Sequence, residues 1–229
     1  MSRFHDLEVY PATINPNDPL TRGWFLLLLD ACARMGVQPV SKRGFHHLIF
    51  MANALAPLLG ANAVDQRIVR FEKGPYYPDA QYHLDRMLGV GLVRADKVHY
   101  EQFSDGRWLE ADYYVTKRGI IVTQELLELS SASELWAFLL EVVRAYADIP
   151  DEIVDRVTPR DLTYGDPLRS ERTLIDFFRA ADNKSLQAAE SFRDLFKLPG
   201  LCNGADQIAL YIAYLERFKG GWQTPVAAE

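Results

Sequence analysis

The sequence predicts an α+β fold in which helix predominates. Three features lead there. Between Ile68 and Gly119 a short extended segment, one helix-length apolar stripe and a long aromatic-rich hairpin pattern follow one another. Before that stretch stand two helix-length apolar segments closed by Gly36 and Gly60, and beyond it the apolar residues keep helical spacing almost to the end.

Residues 1–22 read as an extended arm, since Pro11, Pro16 and Pro19 exclude a continuous helix. Thr21 is the expected cap of a first helix, Gly23 to Met35. Trp24, Leu27, Leu28 and Ala31 share one face of it, and Phe25, Leu26 and Leu29 make the rest apolar too. A helix that is apolar nearly all round belongs at the centre of a core. Ser41 caps a second helix, Lys42 to Leu59, which Pro57 bends or ends.

Gly74-Pro75 reads as a turn, and Pro78 suits the first position of a third helix, with Asp79 complementing its dipole. Ala80, Leu84, Met87 and Leu88 form its buried face, and Gly89 and Gly91 stop it. Val98, Tyr100 and Phe103 then lead into Ser104-Asp105-Gly106-Arg107, a hairpin turn built on the favoured Asp-Gly pair, and Trp108 to Thr116 return. A helix followed by a hairpin of this size is the second half of a winged helix-turn-helix, which the sequence places over residues 23–129.

The residues sharpen this reading. Phe71, Gly74, Pro75, Tyr76, Pro78, Leu84, Leu88, Gly91, Leu92 and Val93 resemble the signature of the Panacea (SocA-like antitoxin) and YwgA-like small bacterial proteins. Tyr114, Thr116 and Gly119 resemble the ending of many winged-helix wings. The resemblance implies a protein that grips another protein. Small proteins of this look also occur as the middle component of ABC three-component (Lamassu-like) anti-phage defence systems. There an SMC-like ABC ATPase would supply ATP hydrolysis and DNA contact, beside an effector.

After Gly119 the spacing predicts a helix over Ile120 to Leu129, a break at Ser130-Ser131-Ala132-Ser133, and a helix from Glu134 to Ala147 capped by Ser133. Three more helices are expected at Leu174–Ala181, Leu186–Phe196 and Ala205–Phe218. Residues 130–219 form a helical lobe on this reading, and 220–229 a frayed tail.

Composition bounds the function. Of 229 residues, 48% are hydrophobic and 24% charged, as in ordinary soluble proteins. The longest apolar run, Trp24 to Leu29, cannot span a bilayer, and the N-terminus lacks a secretory pattern, so a cytoplasmic protein is expected. Cys32 and Cys202 are expected to be buried free thiols. The net charge of −6 falls in the last part: residues 65–119 carry nine basic and nine acidic side chains, while 120–229 carry −7. A duplex-binding module should be clearly basic, and the winged core is neutral.

No phosphate-binding glycine loop or nucleophile elbow is present. His46-His47 are adjacent and cannot clamp one metal as an i, i+4 pair does; with His83 and His99 they are expected to be surface or half-buried structural residues. Asp148, Asp151, Glu152, Asp155 and Asp161 could do acid–base work or hold a metal. Arg156 and Arg160 among them favour a solvated, ion-paired face instead. No cofactor, metal or catalytic residue is assigned. The expected function is a non-enzymatic adaptor. Its candidate contact residues are Phe71, Tyr76, Tyr77, Tyr82, Arg86, Arg107 and Trp108, with Phe71 and Trp108 also suited to the core. The alternative is a DNA-binding regulator or antitoxin acting as a dimer, with Arg94, Lys97, Lys117 and Arg118 as possible backbone contacts. It would need Arg67, Arg70 and Lys73 gathered with them on one face.

Overall fold

The computed structural model describes residues 18–61, 63–64, 68–71, 74–103, 106–147, 149, 157–166, 174–175, 177, 183–195 and 203–217. It is α+β and mostly helical, with two small antiparallel sheets. Most of the expected arm, the 220–229 tail and Cys202 lie outside the described residues.

Helix α1 (Pro19–Arg34) starts four residues before the expected Gly23. Asp18 rather than Thr21 caps it: the Leu20 N–H donates to its carboxylate at 2.9 Å, and the Thr21 hydroxyl, inside the first turn, donates to the other oxygen. Pro19 is tolerated because first-turn N–H groups have no helical partner. Every residue from Trp24 to Leu29 is buried, as all-round apolarity requires. Strand β1 (Val40–Ser41) leads into α2 (Lys42–Leu55), where the Gly44 N–H donates to Ser41 Oγ at 3.0 Å. Pro57 cannot continue the helical ladder, and a 3-10 turn over Ala56–Leu59 closes the segment.

Strands β2 (Ile68–Phe71) and β3 (Gly74–Tyr76) form a hairpin, so Gly74-Pro75 lies in a strand rather than at a turn. Helix α3 (Pro78–Gly89) begins on Pro78 as expected and buries Ala80, Leu84 and Met87. Gly91, at φ +73°, ends it: the Leu92 N–H donates to the Met87 carbonyl and the Gly91 N–H to that of Leu88.

Strand β4 (Val93–Phe103) pairs with β5 (Gly106–Val115) from Val93↔Val115 to Phe103↔Gly106. A bulge lies between Asp96 and His99, with Lys97 at φ +48°. β1 pairs with the other edge of β5, giving the order β1-β5-β4.

Helix α4 (Lys117–Leu126) is capped by Thr116 and starts three residues ahead of the expected Ile120. Helix α5 (Ser130–Ala147) absorbs Ser130-Ser131-Ala132-Ser133, expected to be a break, as its opening turn. Leu174–Ile175, expected to open a helix, is strand β6 against Ile68 and Val69. A backbone partner a hundred residues away overrides local spacing there. Helices α6 (Lys184–Leu195) and α7 (Gly204–Arg217) complete the described elements. Buried residues of α5 and α7 share one core with α1 and α2.

Candidate functional site

Helix α3 and the β4–β5 hairpin hold most of the contact candidates. The outer face of α3 presents Gln81, Tyr82, Asp85 and Arg86. Gln81 donates to Asp85 Oδ1 at 2.8 Å, and Arg86 donates to the Tyr82 hydroxyl at 3.1 Å while its guanidinium lies 5.8 Å from that ring. With Asp79 in the first turn the helix shows two carboxylates and one arginine.

In the hairpin the register sets Tyr100 directly opposite Leu109. These residues are 71% and 44% exposed, and Val98 nearby is 56% exposed. Arg107, opposite Gln102, donates to its side-chain oxygen at 3.2 Å and is exposed. Trp108 is half-buried, with its ring edge-to-face with Tyr76 at 5.7 Å. Lys42 reaches between them from α2, with Nζ 5.9 Å from each ring, and donates to the Leu109 carbonyl at 2.9 Å. Burial holds the Lys42 pKa below its ordinary value, against the pull of Glu110 and Asp85. Burial raises the Glu110 carboxyl, against Lys42 and Arg43. The cluster is an aromatic and charged seam joining hairpin to helix.

Tyr77 is a correction: it is fully buried and cannot contact a partner. As the residue capping α3 it turns its ring towards α2, where Asn53 donates to its hydroxyl at 3.4 Å. The side chain of Phe71 lies outside the described residues. Tyr76, Tyr82, Arg86 and Arg107 reach the surface. Exposed Tyr100 and Leu109 were not singled out from the sequence; their signal was the Asp-Gly turn, which sets the register that pairs them.

The four candidate nucleic-acid contacts divide. Arg94 stacks 4.1 Å from the Tyr114 ring, Arg118 donates to the Val90 carbonyl at 3.0 Å, and Lys117 opens α4 beside it. Lys97 is engaged by Asp112 at 3.0 Å. Arg70 points elsewhere, donating to the Asp166 carbonyl at 3.1 Å. Arg67 and Lys73 lie outside the described residues.

The histidines overturn the surface expectation. Among the described residues His46, His47 and His83 are buried and His99 is exposed. His46 Nδ1 accepts from the Tyr77 N–H at 3.3 Å, so its proton sits on Nε2, beside Gln81. Burial and nearby Lys42 lower its pKa from 6.5 to about 3. The folded state resists a proton that the unfolded chain takes up, so its contribution is complete above 6.5 and falls with pH. Each unit below 6.5, down to about 3, is expected to remove about 1.4 kcal/mol. Glu110 and Asp161, with raised pKa values, act in the opposite sense in wild type and variant alike. Urea titrations over this range should show a flatter acid limb for His46→Gln; equal slopes would refute the assignment.

Asp161 is a second correction. It is fully buried, accepts four hydrogen bonds and has its pKa raised by burial, so it belongs to no solvated face. Arg160 donates to the Leu215 and Glu216 carbonyls at the end of α7. Asp148, Asp151, Glu152, Asp155 and Arg156 lie outside the described residues. Cys32 is a buried free thiol, its pKa pushed up to about 12 by burial.

A cavity of about 630 Å³ opens where α2 begins, lined by Gln38, Ser41, Arg43, Lys97, Asp112 and Tyr146 among others. Among the described residues no three His, Cys, Asp or Glu side chains gather to hold a metal, and no helix is long and apolar enough to cross a membrane. No protein-family model matches the chain, and no curated protein is significantly similar to it.

Proposed function

We propose that the chain is a non-enzymatic adaptor whose winged-helix half contacts a partner protein. The element order α1, β1, α2, α3, β4, β5, with β1 paired to β5 and β4 outside it, supports a winged helix carrying β2–β3 as an insertion before α3. On this reading α3 stands where a recognition helix would, and Asp79 and Asp85 on it repel phosphate. The observation that carries the proposal is the hairpin surface: Tyr100 and Leu109, paired across the strands and open to solvent, with Val98 near them. Exposed apolar side chains on one hairpin suit burial against another protein. An assembly with an SMC-like ABC ATPase and an effector in anti-phage defence rests on the resemblance of residues 68–119 alone.

The test is a pull-down of the tagged protein from its native host, with and without nuclease, read by mass spectrometry and native mass. A stoichiometric protein partner is expected to survive nuclease. Tyr100→Ser combined with Leu109→Ser should weaken its capture about tenfold while changing stability by less than about 0.5 kcal/mol, as surface substitutions do. Recovery of DNA alone, or of a bare homodimer that shifts duplex DNA at moderate salt, would overturn the adaptor reading in favour of a regulator.

A further inference from the structure

At the base of the hairpin, where α3 hands over to β4 and β5 to α4, lie three exposed cations, Arg94, Lys117 and Arg118, and two exposed aliphatic side chains, Val90 and Ile121. The Thr116 hydroxyl donates to the Gly91 carbonyl at 2.7 Å and ties the start of α4 to the end of α3. Arg118 reaches across this joint to the Val90 carbonyl, which places its guanidinium beside Val90, itself 52% exposed. Ile121, 56% exposed, follows Lys117 and Arg118 by one helical turn and shares their face of α4. Arg94 lies opposite Tyr114 in the ladder, with its guanidinium over that ring. Among the described residues none of these three cations is paired with a carboxylate. Of the acids around the joint, Asp112 holds Lys97, Asp96, two residues along β4 from Arg94, accepts from the Lys97 N–H, and Glu125 stands one turn beyond Ile121 on the same face of α4.

We propose that this junction docks an acidic amphipathic segment of a partner protein. Val90 and Ile121 would bury its aliphatic side chains, and Arg94, Lys117 and Arg118 would pair with its carboxylates. The choice between a protein and a nucleic acid follows from the aliphatic pair. A phosphate backbone would leave Val90 and Ile121 against charged oxygens, whereas an apolar centre with a charged rim is the anatomy of a protein interface. Arg94 is held in place by Tyr114, so little side-chain freedom is lost when it pairs with a carboxylate. The joint also stands out electrostatically, since the chain from residue 120 onward carries −7. The proposal rests on the adaptor reading for its partner, but it uses the opposite end of the hairpin from Tyr100 and Leu109.

The experiment measures binding of a fluorescent synthetic helical peptide, with glutamates flanking a leucine stripe, to the full chain by anisotropy. Controls are the same peptide with glutamine for glutamate, and a short DNA duplex. The glutamate peptide should bind, more weakly as salt rises, and the glutamine peptide should not. Kd is expected to increase about tenfold in Arg118→Glu, in Lys117→Glu and in Ile121→Asp. Lys117 is exposed and makes no side-chain hydrogen bond or ion pair among the described residues, so its variant keeps the test valid should Arg118→Glu fail to fold. The Tyr100→Ser, Leu109→Ser variant should bind the peptide normally, which separates this result from a failure at the hairpin surface. Absence of glutamate-peptide binding at low salt would overturn the proposal, as would indifference to Ile121→Asp. Preferential binding of the duplex, lost in Lys117→Glu, would replace it with a nucleic-acid site.

Discussion

Asp161→Ala is expected to destabilise the fold by about 4 kcal/mol, because four buried donors lose their acceptor at once. The Thr163 and Tyr164 N–H groups donate to Oδ1 at 2.8 Å each, the Ser185 hydroxyl to the same oxygen at 2.9 Å, and the Tyr211 hydroxyl to Oδ2 at 2.7 Å. Ser185 belongs to α6 and Tyr211 to α7, so one carboxylate fastens the 157–166 segment to both helices. Asp161→Asn keeps the acceptor at Oδ1 and loses chiefly the Tyr211 bond, for a cost of about 1–2 kcal/mol. Urea denaturation of the two variants gives the comparison. A cost below about 1 kcal/mol for the alanine variant would mean that these donors find other partners or water.

Gly119→Ala is expected to cost about 3 kcal/mol, against the usual sign for this substitution in a helix. A Cβ at position 119 would collide with the Leu92 carbonyl oxygen and stand 2.6 Å from Val115 Cγ2. The carbonyl cannot retreat freely, since the Thr116 N–H donates to it at 3.0 Å. The control is Gly89→Ala at the end of α3, where an added Cβ meets nothing within 4 Å. That substitution should stabilise by about 0.5 kcal/mol through its helix propensity. Thermal or urea melts of the pair should therefore move in opposite directions. If Gly119→Ala also stabilises, the α4 joint is looser than its contacts require.

Local chemistry made much of the chain legible in advance. The apolar run Trp24 to Leu29 required a central helix, Pro78 and Gly91 bounded α3, and the Asp-Gly turn announced the hairpin. Each signal acts within a few residues, through a dihedral preference, an unpaired N–H or a spacing. The errors arose where a partner distant in sequence decides. Leu174-Ile175 opens a stretch of helical apolar spacing in sequence but has a strand beside it in space, and Asp161 sits among charged residues in sequence but beneath Ser185 and Tyr211 in the fold. Tyr77 resembles Tyr76 as an aromatic candidate, yet the entry into α3 sends one ring fully inward and leaves the other half-buried.

The surfaces divide in the same way. The sequence alone determined that the 65–119 stretch is charge-balanced and that 120–229 is acidic. Only the tertiary structure decided what each cation faces: it set Arg94 over Tyr114 and Arg118 against the Val90 carbonyl, and gave Lys97 to Asp112. Net charge is a sum over residues and can be read along a line, whereas a contact surface depends on which side chains the ladder register and the helix caps bring to one face.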